Sequence, residues 1–157
     1  MASAKDIPGV IAPPPLIYLG FLAAGAGLGW LIGEPSLGLP DQIRRIGAVA
    51  LIAAGLMLDG AAAFTFRRAG TAVEPWKPST AIVAAGPYRF SRNPIYLGFG
   101  LAYTGFALGI DSPMALAFLF PCLIVVDRFV IAREERYLAS KFGDAYAAYA
   151  RSVRRWL

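Results

Sequence analysis

The chain has no histidine, one cysteine, and charged residues at only 16% of its 157 positions. Each shortage closes off a class of function. Without histidine, the commonest general base near neutral pH and the commonest metal ligand are both missing. Cys122 stands alone inside the apolar run PMALAFLFPCLIVV, so no intramolecular disulfide, cysteine zinc cluster or Cys-His couple can form. The thiol is read as a small packing residue, and no metal is expected. The formal charge is +5 and the pI near 9.7. The basic residues flank apolar segments and form no basic domain of their own, so no nucleic-acid partner is expected.

What the chain has in abundance is apolar surface. Hydrophobic residues make up 57% of it, against roughly half in soluble domains, and the mean hydropathy is +0.56. The expectation is one all-α integral membrane domain over residues 1–157, with about four transmembrane helices and a C-terminal amphipathic helix. Residues 1–14 form a polar, proline-rich lead-in without a cleavable signal. Spans are expected at about 16–33 and 43–66, so residues 16–66 supply the first two. Asp59 lies inside the second span, where an ionisable group must face the bundle or a cavity, and it is read as functional or paired with an arginine. Residues 67–157 supply a long connection, a helical hairpin and the C-terminal helix.

The connection, 67–92, is the longest polar stretch, with Trp76 between Pro75 and Pro78 and a TAIVAA segment too short to span. Its length and apolar content argue for an ordered, functional loop. Apolar runs at 94–110 and 113–131 meet at Asp111-Ser112 as a tight hairpin. Pro121 is expected to kink the second, and Gly98, Gly100, Gly105 and Gly109 to permit close helix approach. From residue 132 the chain is charged and amphipathic. Its helical pattern breaks at Gly143, and Tyr137, Leu138, Phe142, Tyr146 and Tyr149 supply an aromatic face. Lys and Arg concentrate in the central connection and the tail, which places both ends of the chain and the polar site in the cytoplasm, in a membrane of the bacterial inner type.

Between the halves lies GPYRFSRNPIY, residues 86–96. Asn93 reads as a helix N-cap and Pro94 as the first helical residue, so that the helix N-terminus with Arg89 and Arg92 makes a candidate anion site. An interfacial anchor without a ligand explains the same residues equally well. The hairpin brings this stretch near Arg133, Glu134 and Glu135, whose carboxylates suit a cation or a ribose hydroxyl; a solvated Arg/Glu helix is the plainer reading of that cluster.

These motifs together resemble the isoprenylcysteine carboxyl methyltransferase family and its phospholipid methyltransferase relatives, from about Thr71 onward. The resemblance is carried by TAIVAAGPYRFSRNPIYLG, by Glu134-Glu135, and by FGDAYAAY. It implies a membrane enzyme that uses S-adenosylmethionine without a Rossmann domain. Cofactor contacts then fall on Thr80, Ala81, Ile82, Val83, Tyr88, Asn93, Pro94, Ile95, Tyr96 and Glu134, with Arg133 and Glu134 as the catalytic candidates. The implied acceptor is lipid-like or small and hydrophobic, bearing a carboxylate, amine or thiol, and membrane lipids are the other partner. Two positions depart from the prenylcysteine enzymes. Asn93 replaces a histidine, and Val130 stands where they carry a substrate-contacting arginine, which points away from a prenylcysteine carboxylate. Two other readings are a membrane sterol or enone reductase using NADPH, and a small non-enzymatic membrane protein.

Overall fold

The computed structural model describes residues 7–74 and 77–157, so Trp76 and Pro75 lie outside the described residues, as do residues 1–6. Its elements are α1 (Pro14–Ile32), α2 (Asp41–Arg68), a 3₁₀ turn (Gly86–Arg89), α3 (Pro94–Gly109), α4 (Pro113–Val126), a π segment (Asp127–Ile131), α5 (Ala132–Phe142) and α6 (Asp144–Ser152). No strand occurs among the described residues. Proline in the first turn starts α1, α3 and α4, where its missing N–H costs no hydrogen bond. Gly33, at φ 64°, closes α1 in the left-handed conformation that only glycine adopts cheaply.

Among the described residues three helices are long and apolar enough to cross a membrane: α1, α2, and the continuous run Pro113–Phe142. They turn large apolar side chains outward, including Trp30, Leu31, Val49, Met57 and Phe120. Such a surface suits lipid, in which every backbone polar group must be satisfied within the segment. With 16 residues, α3 extends about 24 Å, less than the roughly 30 Å hydrocarbon core. It compensates by position, packing against α2, α1 and α4 at the centre of the bundle. Its seam with α2 is made of small residues: Gly55 faces Gly98, and Gly105 faces Ala48. α4 holds Pro121 in its interior and continues as helix beyond it. A π segment follows, just before the charged stretch.

Opposite ends of the bundle do different work. At one end the α1–α2 loop is clasped to the α3–α4 turn: the Leu37 N–H donates to Asp111 at 3.0 Å, Arg44 donates to the Leu108 carbonyl at 3.1 Å, and Glu34 accepts from Ser112 and from the Met114 N–H. Ser112 in turn caps α4. The other end gathers the N-terminal lead-in, the 69–93 connection and everything after the π segment. Asp59 faces α3 at Gly98, with Oδ1 buried and, among the described residues, unpartnered; the expected arginine pairing is not formed.

Candidate functional site

At that second end a cavity of about 280 Å³ opens between the start of α1, the end of α2, the start of α3, and α5 and α6. Its floor is Ile95, Tyr96 and Phe99 on α3, with Phe66 at the end of α2. Tyr88 comes from the 3₁₀ turn, Glu134, Glu135, Tyr137 and Leu138 from α5, and Tyr146 and Tyr149 from α6. Gly143, at φ 51°, turns the chain between α5 and α6 and lets both present aromatic rings to one space. The amphipathic face foreseen in the tail thus closes over the cavity, with Phe142 alone outside its lining.

Polar groups hold these walls together. The Tyr96 hydroxyl donates to Glu134 Oε1 at 2.6 Å, joining α3 to α5 across 38 positions. Tyr18 on α1 donates to the Tyr96 carbonyl at 2.9 Å. Tyr149 donates to the Tyr88 carbonyl at 2.9 Å, and the Phe66 and Tyr88 rings lie 4.9 Å apart. The Ser79 N–H donates to the Tyr137 hydroxyl at 3.1 Å, which brings the central connection into the site.

Five of the expected cofactor residues line this cavity: Tyr88, Asn93, Ile95, Tyr96 and Glu134. The others stand behind it. The Thr80 hydroxyl donates to the Gly70 carbonyl and its N–H donates to Thr71 Oγ1, so it folds the connection onto the end of α2. Val83 packs with Ala62 and Tyr88. Pro94 is fully buried in the first turn of α3, and Ala81 and Ile82 are half-buried outside the lining. Arg133 points elsewhere, donating to the Gly9 carbonyl at 2.7 Å beside a separate shallow depression. Val130 is fully buried in the core.

The N-cap expectation holds for position only. Asn93 occupies the N-cap of α3, yet its side chain makes no capping bond there. Its Nδ2 donates instead to the Arg155 carbonyl at 2.8 Å. Arg92 is likewise engaged, with Glu135 at 2.9 Å and the Ala150 carbonyl at 3.1 Å, so it is not a free partner for an anion. Neither Arg155 nor Phe66 was singled out from the sequence. A tail residue far from any motif gives no signal of such a role, and Phe66 reads as one more apolar position in a span.

Burial sets the protonation of the cavity tyrosines. It pushes the Tyr88 hydroxyl far above its ordinary value, and pushes Tyr146 and Tyr149 up to about 12, with Glu135 adding to the first and Tyr146 to the second. Near neutrality these groups donate hydrogen bonds and are not bases. Because the folded values are raised, the stabilisation is complete below the unfolded value of about 10 and is lost as pH climbs toward 12. Melting temperatures should therefore fall steeply between pH 10 and 12, and Tyr146→Phe should remove part of that fall. An unaltered slope in this variant would show that Tyr146 titrates normally.

The phospholipid methyltransferase family matches residues 43–145. A Haemophilus influenzae protein described only as uncharacterized is 41% identical over 63 residues, which is 40% of this chain and 100% of that relative. No solved structure matches. The matched stretch runs from the start of α2 into α6 and takes in Tyr88, Asn93, Tyr96, Glu134 and the glycine seam. With well over half its length matched, this integral membrane chain belongs to the phospholipid methyltransferase family.

Proposed function

We propose that the protein transfers a methyl group from S-adenosylmethionine to a lipid-like or small hydrophobic acceptor, in the cavity at the polar end of α3. The observation that carries this reading is the Tyr96–Glu134 pair set in an aromatic pocket. A nucleoside with a sulfonium side chain needs carboxylate for hydroxyl groups, flat apolar surface for a purine, and electron-rich rings near a cation. The donor set here fits those needs. Glu134 is fixed through Oε1 by Tyr96, and among the described residues its second oxygen has no hydrogen-bond partner, which leaves it to accept from a ribose. Phe66, Tyr88 and Tyr137 supply ring faces.

When bound, the cofactor supplies an electrophilic methyl group, and its displacement depends chiefly on alignment. The chain's own task is accordingly positioning and exclusion of water. Ile95, Phe99 and Leu138 keep the floor apolar, while Pro8 of the lead-in and Pro14 and Pro15 at the start of α1 line another side. Without histidine, the carboxylates that line the cavity, Glu74, Glu134 and Glu135, are the groups there able to take a proton, and Glu135 is already engaged by Arg92 and Arg155. A carboxylate or thiolate acceptor needs none removed, whereas an amine must first be neutral. The basic residues gathered at this end support a cytoplasmic site by the positive-inside rule.

Calorimetric titration of the detergent-purified protein with S-adenosylhomocysteine, and with NADPH in parallel, tests the reading. Saturable binding of S-adenosylhomocysteine alone is expected. In sealed inner-membrane vesicles, binding should appear only in those with the cytoplasmic face outward. NADPH binding, or no binding by folded protein, would overturn the proposal.

A further inference from the structure

We infer that the C-terminal strap, residues 153–157, is part of the site, with Arg155 as a positioning residue that sets the cavity wall from behind. It lies beyond the stretch that the family matches. After α6 the chain leaves the helix and runs back beneath the start of α3, where its backbone takes up polar groups of the SRN segment. The Arg154 carbonyl accepts the Arg92 N–H at 3.0 Å, and the Arg155 carbonyl accepts Asn93 Nδ2 at 2.8 Å and Ser91 Oγ at 3.3 Å. Ser91 is 2% exposed and also accepts the Asn93 N–H, at 3.1 Å. This arrangement takes the Asn93 side chain away from capping and fixes its direction at the cavity edge.

The Arg155 side chain anchors the same strap on its other side. Its guanidinium meets Asp127 at 3.1 Å and both carboxylate oxygens of Glu135, while Trp156 Nε1 donates to Asp127 at 3.0 Å. Glu135 also holds Arg92. The Arg92 and Arg155 guanidinium groups therefore face two carboxylates in one partly buried network, with the exposed Arg128 3.8 Å from Asp127 at its edge, a setting in which each member depends on the others. The Glu135 hydrogen bonds and charge hold the Arg155 pKa above its usual range, so its guanidinium stays charged. Arg92, Asn93 and Glu135 line the cavity; Arg155, Asp127 and Trp156 do not. Arg155 thus acts through residues that touch the space, from a π segment, a tail and a loop that no local pattern relates.

The binding test rests on the cofactor reading above, so it is paired with one that does not. Arg155→Gln should weaken S-adenosylhomocysteine binding at least tenfold. Arg155→Lys should recover only part of this, since an ammonium cannot fork to two carboxylates. In a Glu135→Gln background, Arg155→Gln should cost less than about threefold more, because its main connection to the wall is already cut. Independently, hydrogen exchange in Arg155→Gln should quicken in peptides covering 88–97 and 132–138, while 108–116 at the far end stays protected. Failure of the wild type to bind would sink the cofactor reading and leave the exchange result to decide the strap. Unchanged exchange at 88–97 and 132–138, full affinity in Arg155→Gln, or effects of Arg155 and Glu135 that simply multiply would each overturn the inference.

Discussion

Glu134→Gln should lower affinity for S-adenosylhomocysteine by about 10- to 100-fold and leave the protein folded. A hydrogen bond to a charged group is worth about 1.5–3 kcal/mol, and the substitution removes the charge and turns the acceptor oxygen that faces the ligand into an amide donor. Gln has the same shape, and its carbonyl oxygen still accepts the Tyr96 hydroxyl, now 2.6 Å from the carboxylate. The α3–α5 link therefore survives, as the melting temperature should show. Glu134→Ala is a poorer probe because it would strand the hydroxyl of a residue only 7% exposed, adding a folding penalty to any loss of binding. Calorimetry on Glu134→Gln beside the wild type gives the answer directly. Affinity within twofold of the wild type would remove Glu134 from the ligand's contacts and leave the aromatic walls as the only recognition surface.

The motif residues that converge on this cavity were largely legible in the sequence, because proximity follows from topology. A hairpin of two apolar runs turning at Asp111-Ser112 must return Glu134 to the level of Tyr96, and the structure pairs them. Helix limits followed from proline and glycine for similar reasons: Pro94 and Pro113 begin helices, and the helix before Gly143 ends there. Side-chain direction was not legible. Arg133 adjoins Glu134, but neighbours on a helix point about 100° apart, so one meets the cavity while the other reaches Gly9. Asn93 carries the commonest capping side chain at a capping position, yet a tail carbonyl 62 positions away takes its amide. The π segment at 127–131 gave no such signal, since no proline or glycine marks it.

The packing of α2 on α3 offers the largest expected effect on stability, and it binds the fold to the site. A Cβ added at Gly55 would lie 2.5 Å from the Gly98 carbonyl oxygen and 2.9 Å from the Ala102 nitrogen, both backbone atoms that no rotamer change can move. Gly55→Ala should cost about 1–3 kcal/mol, and Gly55→Val more, as seen for overpacked cores. For a chain of this length that amounts to a fall in melting temperature of roughly 2–12 °C for alanine. Gly60 lies on the same helix with nothing within 4 Å of its added Cβ. Gly60→Ala should therefore be neutral or stabilise by up to about 1 kcal/mol through helix propensity. The contrast removes propensity as an explanation, since both substitutions gain it equally. The effect should reach the cavity as well, because α2 carries Phe66 while α3 carries Ile95, Tyr96 and Phe99. Helices forced apart at Gly55 would widen the gap between those residues, so Gly55→Ala should also weaken S-adenosylhomocysteine binding at temperatures where the protein is still folded. If Gly55→Ala melts with Gly60→Ala, the two helices are not in contact at this seam, and the central place of α3 in the bundle would have to be abandoned.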